Sequence, residues 1–182
     1  MDKKKRFEVY EKRYFHELDA RERIESRLKT PLTMFAIVFG IIAFLSNKVI
    51  EAVDAPQDFG FWIFYSTSIV LFLLSVYFFV KSIYGYHYSL LPTPEVMENY
   101  YRNIEDEYAK TNLGSAKAWA QEAFEEYLYN SYVRYTTQNT KNNDAKSLNL
   151  IRCIGSIIFS FASIVVSYVP IYYEVIMSRF FQ

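Results

Sequence analysis

The chain has 182 residues, 52% of them hydrophobic and 19% aromatic, with 20 basic and 20 acidic side chains. That length suits one membrane-embedded unit, not several domains, and its single cysteine, Cys153, excludes an internal disulfide. The zero net charge hides a strong segregation of charged from apolar stretches and gives no argument for nucleic acid, so no direct nucleic-acid partner is expected.

Residues 1–30 read as a cytoplasmic amphipathic helix. Phe7, Tyr10, Tyr14, Leu18, Ile24 and Leu28 form a broken apolar stripe, and pairs such as Glu17 with Arg21 place charges at helical spacing. The basic start Lys3-Lys4-Lys5-Arg6 is followed by no apolar run until Leu32, so a cleaved signal peptide is not expected. Thr30 and Pro31 suit the cap and first position of a helix, and residues 31–47 form the first apolar run, close to the shortest that spans. Residues 48–60 read as an external loop. The second span is placed at 61–84, with Trp62 at one end and Tyr84, Tyr86 and Tyr88 beyond the other, as interfacial aromatic belts require. Leu90-Leu91-Pro92-Thr93-Pro94 is expected to end that helix and start another. Residues 85–147 then form a cytoplasmic helical segment, with a turn at Asn112 to Gly114 and a long helix from Ser115 that carries Trp119, Phe124, Tyr127, Tyr132 and Tyr135. The third span is 148–170, followed by an amphipathic tail, 171–182, expected along the outer interface.

Lys and Arg number ten in residues 1–31, one in 48–60, eight in 81–152 and one after Pro170. That alternation places the N-terminus in the cytoplasm of a bacterial inner membrane and the C-terminus outside. No β signal occurs. The expected fold class is an all-α integral membrane protein, three transmembrane helices with a small cytoplasmic helical bundle.

The third span carries a seam. Asn139, Asn142, Lys146, Asn149, Cys153, Ser156, Ser160, Ser163 and Ser167 follow alternating steps of three and four, which draw one line along a helix. Lipid offers Ser no partner, so the line is expected to face another helix or water. Two roles fit. Small side chains let helices approach closely, and the first span has its own small face, Thr33, Ala36, Gly40, Ala43 and Asn47, so the two seams are expected to pack together. Alternatively, several copies turn the Ser line inward as a pore, with Asn142, Lys146 and Asn149 at its cytoplasmic mouth. Tyr132, Tyr135, Asn139, Asn142 and Lys146 also have the chemistry to hold a small-molecule signal by stacking and amide hydrogen bonds.

Catalysis has little support. The two histidines, His16 and His87, are far apart, and there is no metal-spaced His/Cys cluster, nucleophile elbow or Gly-rich phosphate loop. Neither an enzyme nor a bound cofactor or metal is expected. The stretch from Tyr14-Phe15-His16-Glu17-Leu18-Asp19 to Arg27-Leu28-Lys29, two close membrane helices and a helical cytoplasmic segment together resemble small bacterial membrane effectors of antiphage defence, the SLATT family being the nearest named group. Tyr127 to Leu150 resembles segments of such proteins as well; a third crossing departs from the two-helix layout. The resemblance implies an effector that self-associates as a homo-oligomer in the lipid bilayer and permeabilises or depolarises it, controlled by a cytosolic sensor or enzyme partner. The alternative is a non-channel scaffold that docks a cytosolic partner through residues 2–29 and 94–147.

Overall fold

A computed structural model describes residues 2–51, 59–111 and 114–180. Five helices follow in order: α1 (Lys3–Arg27), α2 (Lys29–Glu51), α3 (Phe59–Ile83), α4 (Pro94–Thr111) and α5 (Ala116–Phe180). No strand occurs among the described residues, so the chain is all-α. Three helical stretches, within Lys3–Asn47, Phe59–Ile83 and Ala116–Val169, are long and apolar enough to cross a membrane. At 1.5 Å per residue α3 alone reaches about 37 Å, enough for a hydrocarbon core of about 30 Å.

Several boundaries differ from those the sequence suggests, for local reasons. α1 and α2 are separated only by Leu28, whose N–H donates to the Glu25 carbonyl at 3.2 Å, a tightened turn. Pro31 lacks the N–H that would bond one turn back to residue 27, so the ladder weakens there without ending the second helix. α3 stops at Ile83, well before the Leu90–Pro94 stretch. Gly85 takes φ of 92°, the left-handed conformation that ends helices and that favours glycine. Residues 86–93 form a strap without regular secondary structure, and α4 begins at Pro94 as the Thr93-Pro94 signal predicts. α5 does not end at Pro170 but continues helical through Phe180. Of the expected external loop, 48–51 belong to α2, 59–60 to α3, and 52–58 lie outside the described residues, as do 112–113 of the expected turn and 181–182 of the tail.

The chain divides into two compact units. The first comprises residues 1–23 and 86–144. Its core is aromatic: Phe7 and Tyr14 meet Tyr132 edge-on at 5.4 and 5.5 Å, and Tyr10 meets Tyr129 at 5.5 Å. Across the α4–α5 hairpin, Tyr100 lies 4.6 Å from Tyr127 and Tyr101 5.6 Å from Phe124. Such ring pairs add about 0.5–1.5 kcal/mol each beyond their buried area.

The second unit comprises residues 24–85 and 145–182. Val38 and Leu45 of α2, Phe61 and Tyr65 of α3, and Cys153, Ile157 and Ile164 of α5 form its core. Phe35 packs edge-on against Phe72 and Phe79 at 5.6 and 5.4 Å. The pairs Ser68 with Ser160 and Phe78 with Arg152 show that α3 and α5 run antiparallel. The buried positions repeat every seven residues on each helix: Pro31, Val38 and Leu45; Phe61, Ser68, Ser75 and Ser82; Lys146, Cys153, Ser160 and Ser167. A strict seven-residue repeat is the seam of helices packed as coiled coils, each keeping one line toward its neighbours.

Candidate functional site

The polar line of α5 holds buried side chains along its described length, and Asn139, Asn142, Asn143, Lys146 and Ser160 are each tied to another element of their own unit. In the first unit, Asn139 is fully buried. Its amide is doubly bonded to the strap: Ser89 N–H donates to Oδ1 and Nδ2 donates to the Ser89 carbonyl, both at 3.0 Å. A side-chain amide there supplies the backbone partners that a segment outside any helix or sheet lacks. Asn142 Nδ2 donates to the His87 carbonyl at 2.7 Å. Asn143 Nδ2 donates to the Glu17 carbonyl at 2.8 Å and to the Glu17 carboxylate at 2.9 Å, while its Oδ1 accepts from Tyr88 at 2.7 Å. Leu91 N–H donates to the Tyr14 hydroxyl at 3.0 Å. The three asparagines thus fasten the strap to α5, and Asn143 fastens α1 to it.

In the second unit Lys146, with only 6% of its side chain exposed, pairs with Glu25 at 3.4 Å. Cys153 is buried among apolar side chains. Ser160 is fully buried, donates to the Ser68 carbonyl at 2.9 Å and lies 3.2 Å from the Ser68 hydroxyl. A hydroxyl reaching the backbone of the neighbouring helix requires close approach, which only small residues permit. Ser75, Ser82 and Ser167 bond back to the preceding turns of their own helices, at Phe72, Phe79 and Ile164, so each of these three buried hydroxyls is satisfied.

The centre of this seam is shifted from the expected one. Buried positions run Asn139, Asn142, Asn143, Lys146, Leu150, Cys153, Ile157, Ser160, Ile164, Ser167, whereas Asn149, Ser156 and Ser163 are half-buried at its flank. Leu150, Ile157 and Ile164 had to join the core, and that rotates the line toward them. The partner differs too. The Ser line meets α3, whose Ser68, Ser75 and Ser82 recur every seven residues, and not the small face of α2. Ala36 and Gly40 are exposed and Ala43 half-buried; a Cβ built on Gly40 has no atom within 4 Å. Asn142 and Lys146 each hold a partner within the chain, the His87 carbonyl and Glu25. Asn139 is likewise occupied, by the Ser89 backbone.

Sequence reasoning gave Tyr14, Glu17 and Tyr88 other roles and missed the serines of α3. The spacing of Ser68, Ser75 and Ser82 inside an apolar run was the available signal for the last. Among the described residues no group of three His, Cys, Asp or Glu side chains converges to hold a metal ion.

Tyr132 is buried and its hydroxyl approaches Glu11 at 3.4 Å. Burial first, then the Glu11 charge, raise its pKa above the ordinary value of 10. The unfolded chain therefore loses this proton first as pH rises. The contribution of Tyr132 to stability is complete below pH 10 and is lost as pH climbs through the folded value. Tyr132→Phe removes the titration at the cost of one weak hydrogen bond, about 1 kcal/mol or less. Unfolding measured at neutral pH and above pH 10 should show the stability difference between the two chains shifting in favour of the variant at the higher pH. A constant difference would mean that Tyr132 titrates alike in both states.

No family model, curated protein or solved structure matches the chain significantly. Function is therefore read from the chain's own residues.

Proposed function

We propose that this chain is a bacterial inner-membrane effector that self-associates and permeabilises or depolarises the membrane, with its N-terminus in the cytoplasm and a cytosolic sensor or enzyme partner controlling it. The observation that carries the reading is the division of labour among small residues. The Ser seam is used up inside one chain, while the small face of α2, with Thr33, Ala36 and Gly40 exposed, is left open along an apolar helix. In lipid, where burial of apolar surface drives nothing, exposed small residues on a spanning helix suit close contact with a second copy. Leu32, Ile37, Phe39 and Phe44 surround that face and are themselves exposed. The resemblance in layout to membrane effectors of antiphage defence is the support for the defence setting, and the Lys/Arg alternation for the orientation. Conduction would follow rearrangement of the packed helices, since the resting chain closes Ser160 and Ser167 off.

The exposed hairpin favours a second reading, a scaffold that docks a cytosolic partner. Trp119 is 52% exposed, with acidic Asp106, Glu107 and Glu122 exposed on α4 and α5.

Gly40→Leu separates the two. It meets empty space within the chain, so the fold should survive while contact between copies is forced apart. Induced expression of the parent should depolarise cells and yield a crosslinked ladder in membranes, and the variant should lose both. An undisturbed membrane potential at full membrane levels of the parent would sink the effector reading and leave the scaffold.

A further inference from the structure

Among the charged side chains of α5 in the first unit, Glu126 and Arg134 are set apart because they line grooves. Glu126 and Arg134 are exposed, and neither has a hydrogen bond, ion pair or ring contact among the described residues. They are two helical turns apart, about 12 Å along the axis, too far to pair with each other. Between them on the same face lies Asn130. The three side chains line one groove of about 450 Å³ against α4, with Tyr100, Tyr127 and Tyr135. Tyr100 remains 39% exposed even though its ring packs 4.6 Å from Tyr127. Arg134 also lines a second groove of about 490 Å³, with His87, Ser89, Thr137 and Gln138. The two grooves therefore share one guanidinium. The strap that brings His87 there is fixed by Asn139 and Asn142 through the Ser89 and His87 backbones, so the far wall is preorganised rather than loose.

This order of groups describes a ligand. At one end a lone carboxylate accepts from N–H donors. In the middle, tyrosine rings and an amide meet a flat, polar-edged ring. At the other end a guanidinium and an imidazole, with hydroxyl and amide donors beside them, meet an anion with several oxygens. We propose that the α4–α5 groove, continued past Arg134 to the strap, binds a guanine nucleotide. The base stacks on the tyrosines. Its N1–H and exocyclic amino group, which lie side by side, donate to the Glu126 carboxylate. Its phosphate is held by Arg134 and His87. Adenine presents only its amino group and lacks the adjacent N–H, and uracil has a single ring N–H and no amino group, so the carboxylate selects guanine by donors that the others do not supply. The site lies wholly within the first unit and stands whether or not the membrane reading holds.

Titration calorimetry of the full chain in detergent micelles tests this with GMP, AMP, UMP and inorganic phosphate as probes. GMP should bind saturably and more tightly than AMP, UMP or phosphate by about tenfold or more, the weight of one charge-assisted pair. Arg134→Gln should weaken GMP at least about tenfold, and Glu126→Gln should abolish the preference for GMP over AMP while leaving AMP unchanged. Both side chains are exposed, so the unfolding temperature of each variant should match the parent; His87→Ala supplies a third variant from a different element, also expected to weaken GMP. Three results would each overturn the proposal. One is no saturable heat with GMP at millimolar concentration. Another is phosphate or UMP binding as tightly as GMP. The third is full GMP affinity in folded Arg134→Gln.

Discussion

Asn139→Leu is expected to cost about 2–4 kcal/mol of stability, although leucine has as many side-chain heavy atoms as asparagine and branches at the same carbon. Asn139 is fully buried and supplies the partners for both the N–H and the carbonyl of Ser89. Removing the amide orphans two backbone groups at once, and each such group costs about 1–3 kcal/mol when water cannot replace the partner. Asn142→Leu should cost less, since it releases one backbone group, the His87 carbonyl on a surface-facing segment of the strap, and otherwise only the Gln138 amide of its own helix. The measurement is chemical unfolding of the two variants beside limited proteolysis within residues 86–93. Faster cutting in the strap of Asn139→Leu, with the cutting elsewhere unchanged, is the expected pattern. Equal stability of Asn139→Leu and the parent would mean that the strap is not held by α5. The same release would misplace His87, so the variant also tests whether the groove beside Arg134 depends on the strap.

The asparagines show how far a single sequence carries. Their spacing on one face of α5 was plain, because polar residues recurring at three and four stand out against any other background. Their use was not plain. An amide at the end of a membrane helix has the same spacing whether it lines a pore, holds a ligand or bonds a backbone, and the choice depends on what lies opposite. What lies opposite is the strap, and the strap exists because Gly85 ends α3 early. One glycine with positive φ decided the matter, while the more conspicuous Leu90–Pro94 stretch only starts α4. The serines teach the same lesson in the apolar unit. Periodicity belongs to one helix, but pairing needs the register between two. Ser156 and Ser163 fit the expected line as well as Ser160 does, yet only Ser160 meets Ser68, because Ile157 and Ile164 pull the buried face toward themselves. The small face of α2 and the small line of α5 matched in spacing, and α3 stood in the place expected for α2. Glu126, Arg134 and His87 were legible only as residues. His87 lies far from the other two in sequence, and only the fold of the strap brings it beside Arg134.

Ser160→Leu is expected to separate α3 from α5 and to be among the most damaging single changes in the apolar unit. The site has no room: Ser160 is fully buried, and its hydroxyl lies 2.9 Å from the Ser68 carbonyl. A leucine must displace backbone, since the atom in its way is a main-chain oxygen and not the end of a flexible side chain. Overpacking of that kind costs about 1–3 kcal/mol even where neighbours shift, and the lost hydrogen bonds add about 0.6 kcal/mol, the average for such bonds in membranes. Ser160→Ala isolates the second contribution. It keeps the close approach and loses only the bonds, so it should fall below the parent by the smaller amount. Gly40→Leu supplies the opposite control, because it adds the same bulk to a face with nothing within 4 Å. Unfolding in detergent should therefore rank parent and Gly40→Leu together, Ser160→Ala slightly lower and Ser160→Leu well below. Crosslinking between copies should fail for Gly40→Leu and persist for Ser160→Ala. If Ser160→Leu unfolded with the parent while crosslinking between copies was lost, the Ser line would be an interface between chains. The packing of Ser160 on Ser68 within one chain would then be wrong.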